Sequence, residues 1–310
     1  MVYVTQPVFV SPGSSPAPAV DPARLEAHVR MLAVTLAPRD VAHGENLERA
    51  AEYVRTQLAT SGGRPVGQTW SVDGRTVRNV GVRFGPEPAR GGECVVVGAH
   101  YDSYGEPGLV LPGADDNASG VAGLLELAAL LRDAKLALPV ELVAYSLEEP
   151  PYFRTGHMGS AVHVRALAAA GVRVRAMLSL EMIGCFRDED GSQRFPAPLI
   201  GLCYPSRGDF IAVVGALGQA GFTRSIKRSL VVATALPVRS INAPRWVPGI
   251  DFSDHLNYWD AGFDAVMVTD TAFCRNDHYH GAGDTAERLD YRRMADVVRG
   301  VFAAVVDLAR

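Results

Sequence analysis

CVVVGAHYDS at residues 94–103 and GADDNASG at residues 113–120 decide how this chain is read. The apolar run Cys94–Val97 has the length and β-branched content of a buried strand, and it delivers His100 and, two residues later, Asp102. A Gly/Pro-rich loop then leads to the paired carboxylates Asp115 and Asp116. After them Val121, Leu124, Leu125, Ala128 and Leu131 recur at helical spacing. Imidazole and carboxylates therefore collect where a buried strand gives way to a helix, the edge at which open α/β sheets place their sites. A metal site or an acid–base site is the expectation, and the rest of the chain must supply the partners.

On the N-terminal side, Pro7, Pro12, Pro16 and Pro18 with several serines mark residues 1–20 as an extended arm, leaving 21–310 as a single catalytic domain. Asp21-Pro22 is a helix start, followed by Leu25, Val29, Leu32, Ala33 and Leu36 on one face. A second helix runs from about Gly44 to Leu58 and is closed by Gly62-Gly63. Residues 68–72 and 77–84 alternate as antiparallel strands.

On the C-terminal side, the strand Val140–Ser146 ends at Glu148-Glu149, a helix spans Gly159–Ala170, and the strand Ala176–Leu180 ends at Glu181. Residues 184–208 read as a loop around a short strand, Leu199–Leu202. Phe210–Ala220 reads as a helix, and 222–250 as irregular apart from a β-rich run at Leu230–Thr234. A short helix at Asp254–Ala261, a strand at Ala265–Thr269, a His-rich loop at 274–284 and a C-terminal helix through Tyr291, Met294, Val298 and Val305 complete the pattern. Strands alternating with helices predict a three-layer α/β/α sandwich on a mixed sheet, parallel in its centre.

A net charge of -4 gives no reason to expect a nucleic-acid or anionic-membrane partner. No apolar run approaches the ~20 residues of a membrane span. The N-terminus has neither a basic segment nor an apolar core of signal-peptide type, so the expectation is a cytoplasmic chain. Cys94, Cys185, Cys203 and Cys274 form no C-x-x-C pair and read as free thiols.

Three successive strands thus end in candidate ligands, at His100, Glu148-Glu149 and Glu181, and the loop DHYHGAGD at 277–284 follows another strand. Strand ends on one edge of a parallel sheet converge, and several carboxylates in one pocket resist ionisation together. A divalent cation removes that conflict. Histidine with carboxylates suits zinc, with manganese or cobalt as substitutes.

In these motifs the chain resembles the zinc exopeptidases of metallopeptidase family twenty-eight, which include bacterial leucyl aminopeptidases, glutamate carboxypeptidase and the glutaminyl cyclases. The resemblance covers roughly residues 40–310. It rests on GAHYDS (98–103), GADDNASG (113–120), Glu148-Glu149, Leu180-Glu181-Met182, Phe252-Ser253-Asp254-His255, and His280 with Asp284-Thr285. It implies the phosphorylase/hydrolase-like fold of these enzymes and two zinc ions bridged by Asp116. His100 and Glu181 would complete one site, and Glu149 and His280 the other. Glu148 would be the general base, and Asp102 would bond the far nitrogen of His100. A cis peptide is implied at Asp116-Asn117. The implied activity is hydrolysis of the N-terminal bond of a peptide or amino-acyl substrate. The rivals are glutaminyl cyclisation with one zinc on Asp116, Glu149 and His280, and a non-catalytic binding module.

The family's spacing selects His280 over His278. His255 is expected to support the site wall, His157 and His163 to lie at the surface, and Asp115 to fix a loop by accepting hydrogen bonds. The chain departs from the pattern in three places: Glu181 stands where many relatives have aspartate, Pro150–Thr155 lengthens the segment after the glutamates, and Ile250 occupies a position where some relatives place a tyrosine. Tyr152, Phe153, Trp246, Phe252 and Phe273 are candidates for an apolar specificity pocket.

Overall fold

The computed structural model describes every residue except Met1, Pro16 and Pro198. A single helical turn, α1 (Val2–Thr5), stands within the segment expected to be extended, and α2 (Pro22–Arg30) follows. The Asp21 side chain caps α2 by accepting from the Ala23 N–H, with proline in the first turn where its missing N–H costs nothing. Then come α3 (Gly44–Ala59), the hairpin β1 (Arg64–Val72) and β2 (Arg75–Phe84), and β3 (Glu93–His100). After these run α4 (Gly120–Leu131), β4 (Val140–Tyr145), α5 (Gly159–Ala169) and β5 (Arg173–Glu181). The chain ends with β6 (Ile211–Ala216), α6 (Ala220–Ala233), β7 (Val238–Ala243), α7 (His255–Asp260), β8 (Ala265–Thr269) and α8 (Tyr291–Leu308).

The strands form one eight-stranded sheet in the order β1-β2-β4-β3-β5-β8-β6-β7. Its centre, β4-β3-β5-β8, is parallel. The hairpin joins antiparallel through β2, and β6 runs antiparallel to β8 at the other side. Side chains alternate across the sheet as the pleat requires. Val95, Val97, Ala99, Leu178, Leu180, Val266 and Val268 face the large core shared with α2, α3, α4, α6 and α8. Cys94, Val96, Val143 and Met177 face α5 and α7. The three layers and the mixed, centrally parallel sheet are those read from the sequence.

Three assignments change. Phe210–Ala220 is not a helix, because Ile211–Ala216 forms strand β6, almost wholly buried in the sheet. Phe210, Val213, Val214 and Leu217 mimic a helical stripe, but the β-branched residues are the inward rows of a strand. Residues 222–250 are ordered: the supposed β-run Leu230–Thr234 is the end of α6, whose buried Ile226, Leu230 and Ala233 share one face, and strand β7 follows. At Leu199–Leu202 the chain makes a tight helical turn, Ile200–Leu202, rather than a strand.

The parallel centre aims four strand ends at one edge. On the α5/α7 side, among the described residues, no α-helix packs on the sheet beyond α7. Ala212, Val214 and Met267 instead meet loops carrying Phe195, Ile200, Ile250 and Phe252. The space left between sheet and loops is a cleft of about 100 Å³ that begins at Glu181.

Candidate metal centre

His100 is the last residue of β3 and is buried. Its Nδ1 donates to the backbone oxygen of Asp102 at 3.1 Å, which fixes the ring and turns Nε2 outward. The Asp102 carboxylate, expected on that nitrogen, lies 3.6 Å away, too far for a hydrogen bond. It accepts instead the N–H groups of Glu148 (3.2 Å) and Glu149 (3.0 Å). Asp102 thereby joins the end of β4 to the end of β3 and sets the direction of both glutamates.

Asp116 stands in the wide turn Ala114–Ser119 between β3 and α4, and its peptide bond to Asn117 is cis. Gly113 enters this turn with φ 56, and an added Cβ would meet the Asp116 carbonyl. Asp284 accepts the Asp115 and Asp116 N–H groups at 3.0–3.1 Å. The Asn117 amide donates to the Leu180 carbonyl and accepts from Met182, tying the turn to the end of β5. Fully buried Arg39 donates to the carbonyls of Tyr101, Leu32, Pro112 and Gly113. Asp115 accepts from the Gly184 N–H and the Asn276 amide, the loop-fixing part expected of it.

Glu181 ends β5, and one of its oxygens accepts the Ser253 hydroxyl at 2.7 Å. His280 comes from the loop after β8. Asn276 in that loop donates to both Asp115 and Asp284, so the loops carrying Asp116 and His280 are pinned to each other.

These five residues form two overlapping triads. His100 Nε2 lies 3.3 Å from Asp116 Oδ1 and 3.4 Å from Glu181 Oε2. His280 Nε2 lies 3.1 Å from Asp116 Oδ2 and 3.4 Å from Glu149 Oε2. Ligands held ~2.0–2.1 Å from a tetrahedral centre are roughly 3.3–3.4 Å apart, which is this spacing. Among the described residues, the buried Glu149 Oε1 has no hydrogen-bond partner. The donor set and its spacing fit a divalent ion in each triad, with Asp116 shared.

Charge tells the same story. Burial raises Glu149 to about 7, helped by Asp116. Burial also raises Glu148 well above its usual range: His100 opposes this, and Glu181 and Glu149 add to it. Burial works against protonated His280, yet Asp116 and Glu149 lift it to about 10. Protein groups alone leave this cluster short of positive charge.

Of the other candidates, His278 and Asp115 join neither triad. His255 is buried, bonded to the Ile250 carbonyl and lowered to about 4 by burial, so it is a neutral wall residue. His157 is exposed. His163, expected at the surface, is buried: it sits 2.9 Å from Glu141 and 2.7 Å from the Tyr258 hydroxyl. That pairing depends on strand β4 and helix α5 facing each other, which no local pattern reveals. Phe252 and Phe273 line the cleft, and Phe153 packs edge-on against Phe252. Trp246 is 81% exposed, and Tyr152 packs with Val72, Val77 and Leu147 away from the cleft. Tyr104, Tyr279, Arg39 and Asn276 carry no role in the sequence reading. The only local signal was that each tyrosine adjoins a site motif.

Residues 79–305 match the model of Peptidase family M28, and the chain belongs to that family. It is a metal-dependent peptidase by class. It is 47% identical to the uncharacterized protein YfbL of Escherichia coli, over 97% of this chain and 92% of that one. It is 26% identical to leucine aminopeptidase 1 of Trichoderma harzianum over 72% of this chain, and the match spans 52% of that longer protein. Among solved structures, a zinc aminopeptidase from Bacillus subtilis superposes with a TM-score of 0.71 at 15% identity, covering 94% of this chain and 95% of that one. A glutaminyl cyclase from Bacteroides thetaiotaomicron superposes with a TM-score of 0.69 at 16% identity, covering 94% and 99%.

Proposed function

We propose that this chain is a two-zinc aminopeptidase that removes the N-terminal residue of peptides. The observation that carries the reading is the pair of triads sharing Asp116, both with their donors present and at ligand spacing. The sequence relatives named leucine aminopeptidase and the solved zinc aminopeptidase support it.

His100, Asp116 and Glu181 would hold one ion, and Asp116, Glu149 and His280 the other. When bound, such ions supply Lewis acidity that lowers the pKa of water and polarises a carbonyl. Glu148 lies 3.9 Å from His100 Nε2 and belongs to neither triad. It accepts the proton of the attacking water at its carboxylate and delivers it to the leaving amine. Asp102, by holding the Glu148 and Glu149 backbones, lets two adjacent carboxylates serve two tasks. The cleft beside Glu181 takes the substrate's first side chain against Phe252, Phe273 and Ile250. The free α-amino group is attracted by the surrounding carboxylates.

Metal analysis with a panel of amino-acyl anilides, dipeptides and an N-terminal glutaminyl peptide tests this. Two zincs per chain with release of an N-terminal apolar residue is the expected result. One zinc with cyclisation of the glutaminyl peptide would overturn it.

A further inference from the structure

The two histidines are held by different means. His100 is buried, with Nδ1 bonded to a carbonyl. The His280 side chain is 24% exposed, on a backbone with φ 55. Among the described residues, no protein group pairs with its Nδ1. A ligating imidazole ordinarily has that second nitrogen held by an acceptor, which fixes the plane of the ring.

His280 has stacking instead. Tyr104 lies on one partner ring contact, with centroids 4.1 Å apart and planes 5° from parallel. Tyr279 makes another, at 3.8 Å and 20°. Tyr104 comes from the loop after β3, so its contact joins separate parts of the chain, whereas Tyr279 is the neighbour of His280 in its own loop. An imidazole stacked this closely cannot swing about its Cβ–Cγ bond without driving its edge into a neighbouring ring. The one orientation left aims Nε2 between Asp116 Oδ2 and Glu149 Oε2.

We propose that Tyr104 and Tyr279 are positioning residues that orient His280 as a metal ligand, doing by ring stacking what the Asp102 carbonyl does for His100. The inference rests on the two-zinc reading above and deepens it. The contact is made by the ring faces, so phenylalanine should serve as well as tyrosine.

The test is zinc binding, measured by competition with a chromophoric chelator. The unmodified chain and Tyr104→Phe should bind two zincs with the same pair of affinities. Tyr104→Ala should bind one of the two about 10–100-fold more weakly. Tyr279→Ala should do the same, and His280→Ala should lose that site, which assigns it. A second readout needs no substitution: in the metal-free chain the His280 ring protons should carry the upfield ring-current shift of a stacked imidazole. Alanine variants that bind zinc like the parent, or unshifted ring protons in the parent, would overturn the proposal. Failure of the parent to bind zinc overturns the two-zinc reading itself, while the ring shifts still report separately on the stacking.

Discussion

Two buried histidine–carboxylate clusters lie on the same sheet, and only one of them has room for an ion. At His163 each polar group has a protein partner. Glu141 sits 2.9 Å from His163 and 2.7 Å from Arg83, and the hydroxyls of Tyr145 and Tyr258 complete the chain of bonds. At His100 and His280 the nitrogens and oxygens stand mostly 3.1–3.4 Å apart, the carboxylates outnumber the imidazoles, and a buried Glu149 oxygen is unpartnered. The residue types are nearly the same. What separates a structural cluster from a metal centre is whether the protein itself closes the charge and hydrogen-bond balance.

Glu148→Gln should break the chemical half of the comparison hardest. We expect kcat/KM to fall about 10²–10⁴-fold with zinc content unchanged. Retention of full hydrolysis would remove Glu148 from its role.

Removing metal should expose the imbalance as a pH dependence. Glu149 is raised from 4.5 to about 7 and His280 from 6.5 to about 10. Both groups hold protons more tightly folded than unfolded, so their contribution is fully present below pH 4.5 and 6.5, respectively, and is lost as pH rises through about 7 and 10. The melting temperature of chelator-treated protein should therefore decline from pH 5 towards pH 9. Zinc should flatten that decline by replacing the protons, and an apoprotein whose stability rises over this range would contradict the electrostatic picture.

The structural cluster should respond the opposite way. His163→Ala removes one partner of buried Glu141 and should cost about 2–3 kcal/mol of stability in denaturant unfolding. Zinc stoichiometry and kcat should not change. A loss of zinc would mean that the two clusters are coupled.

The smallest effect concerns the cleft. Phe252→Ala should raise KM for substrates with a large apolar N-terminal residue about 10-fold, with kcat nearly constant. An equal rise in KM for glycyl and leucyl substrates would take Phe252 out of the side-chain pocket.

The layers, and the convergence of His100, Glu148-Glu149, Glu181 and the His-rich loop, are legible because each ends or follows an apolar run whose direction a parallel sheet dictates; the choice of Asp116, Glu149 and His280 over their neighbours comes from the family resemblance. Residues 210–234 were misread because two periodicities overlap. Phe210, Val213, Val214 and Leu217 fit a helical stripe although the segment is a strand, and Leu230–Thr234 looks β-like although it closes a helix. The burial of His163 and the stacking on His280 depend on tertiary neighbours, Glu141 and Tyr104, that no local pattern reveals. The spacing places Asp102 beside the site, but its carboxylate bonds the backbone of Glu148 and Glu149, a contact that sequence spacing does not specify.

The Asp284 carboxylate that holds the Asp115 and Asp116 N–H groups lies 168 residues beyond Asp116 in the chain. A growing polypeptide therefore displays Asp116, the residue common to both triads, long before it can display the group that sets that residue's backbone. The order of synthesis works as a delay: the turn that carries Asp116 is not held in place until the loop after β8 has been made. A peptidase assembled in this order has no finished centre until nearly all of this chain has been made.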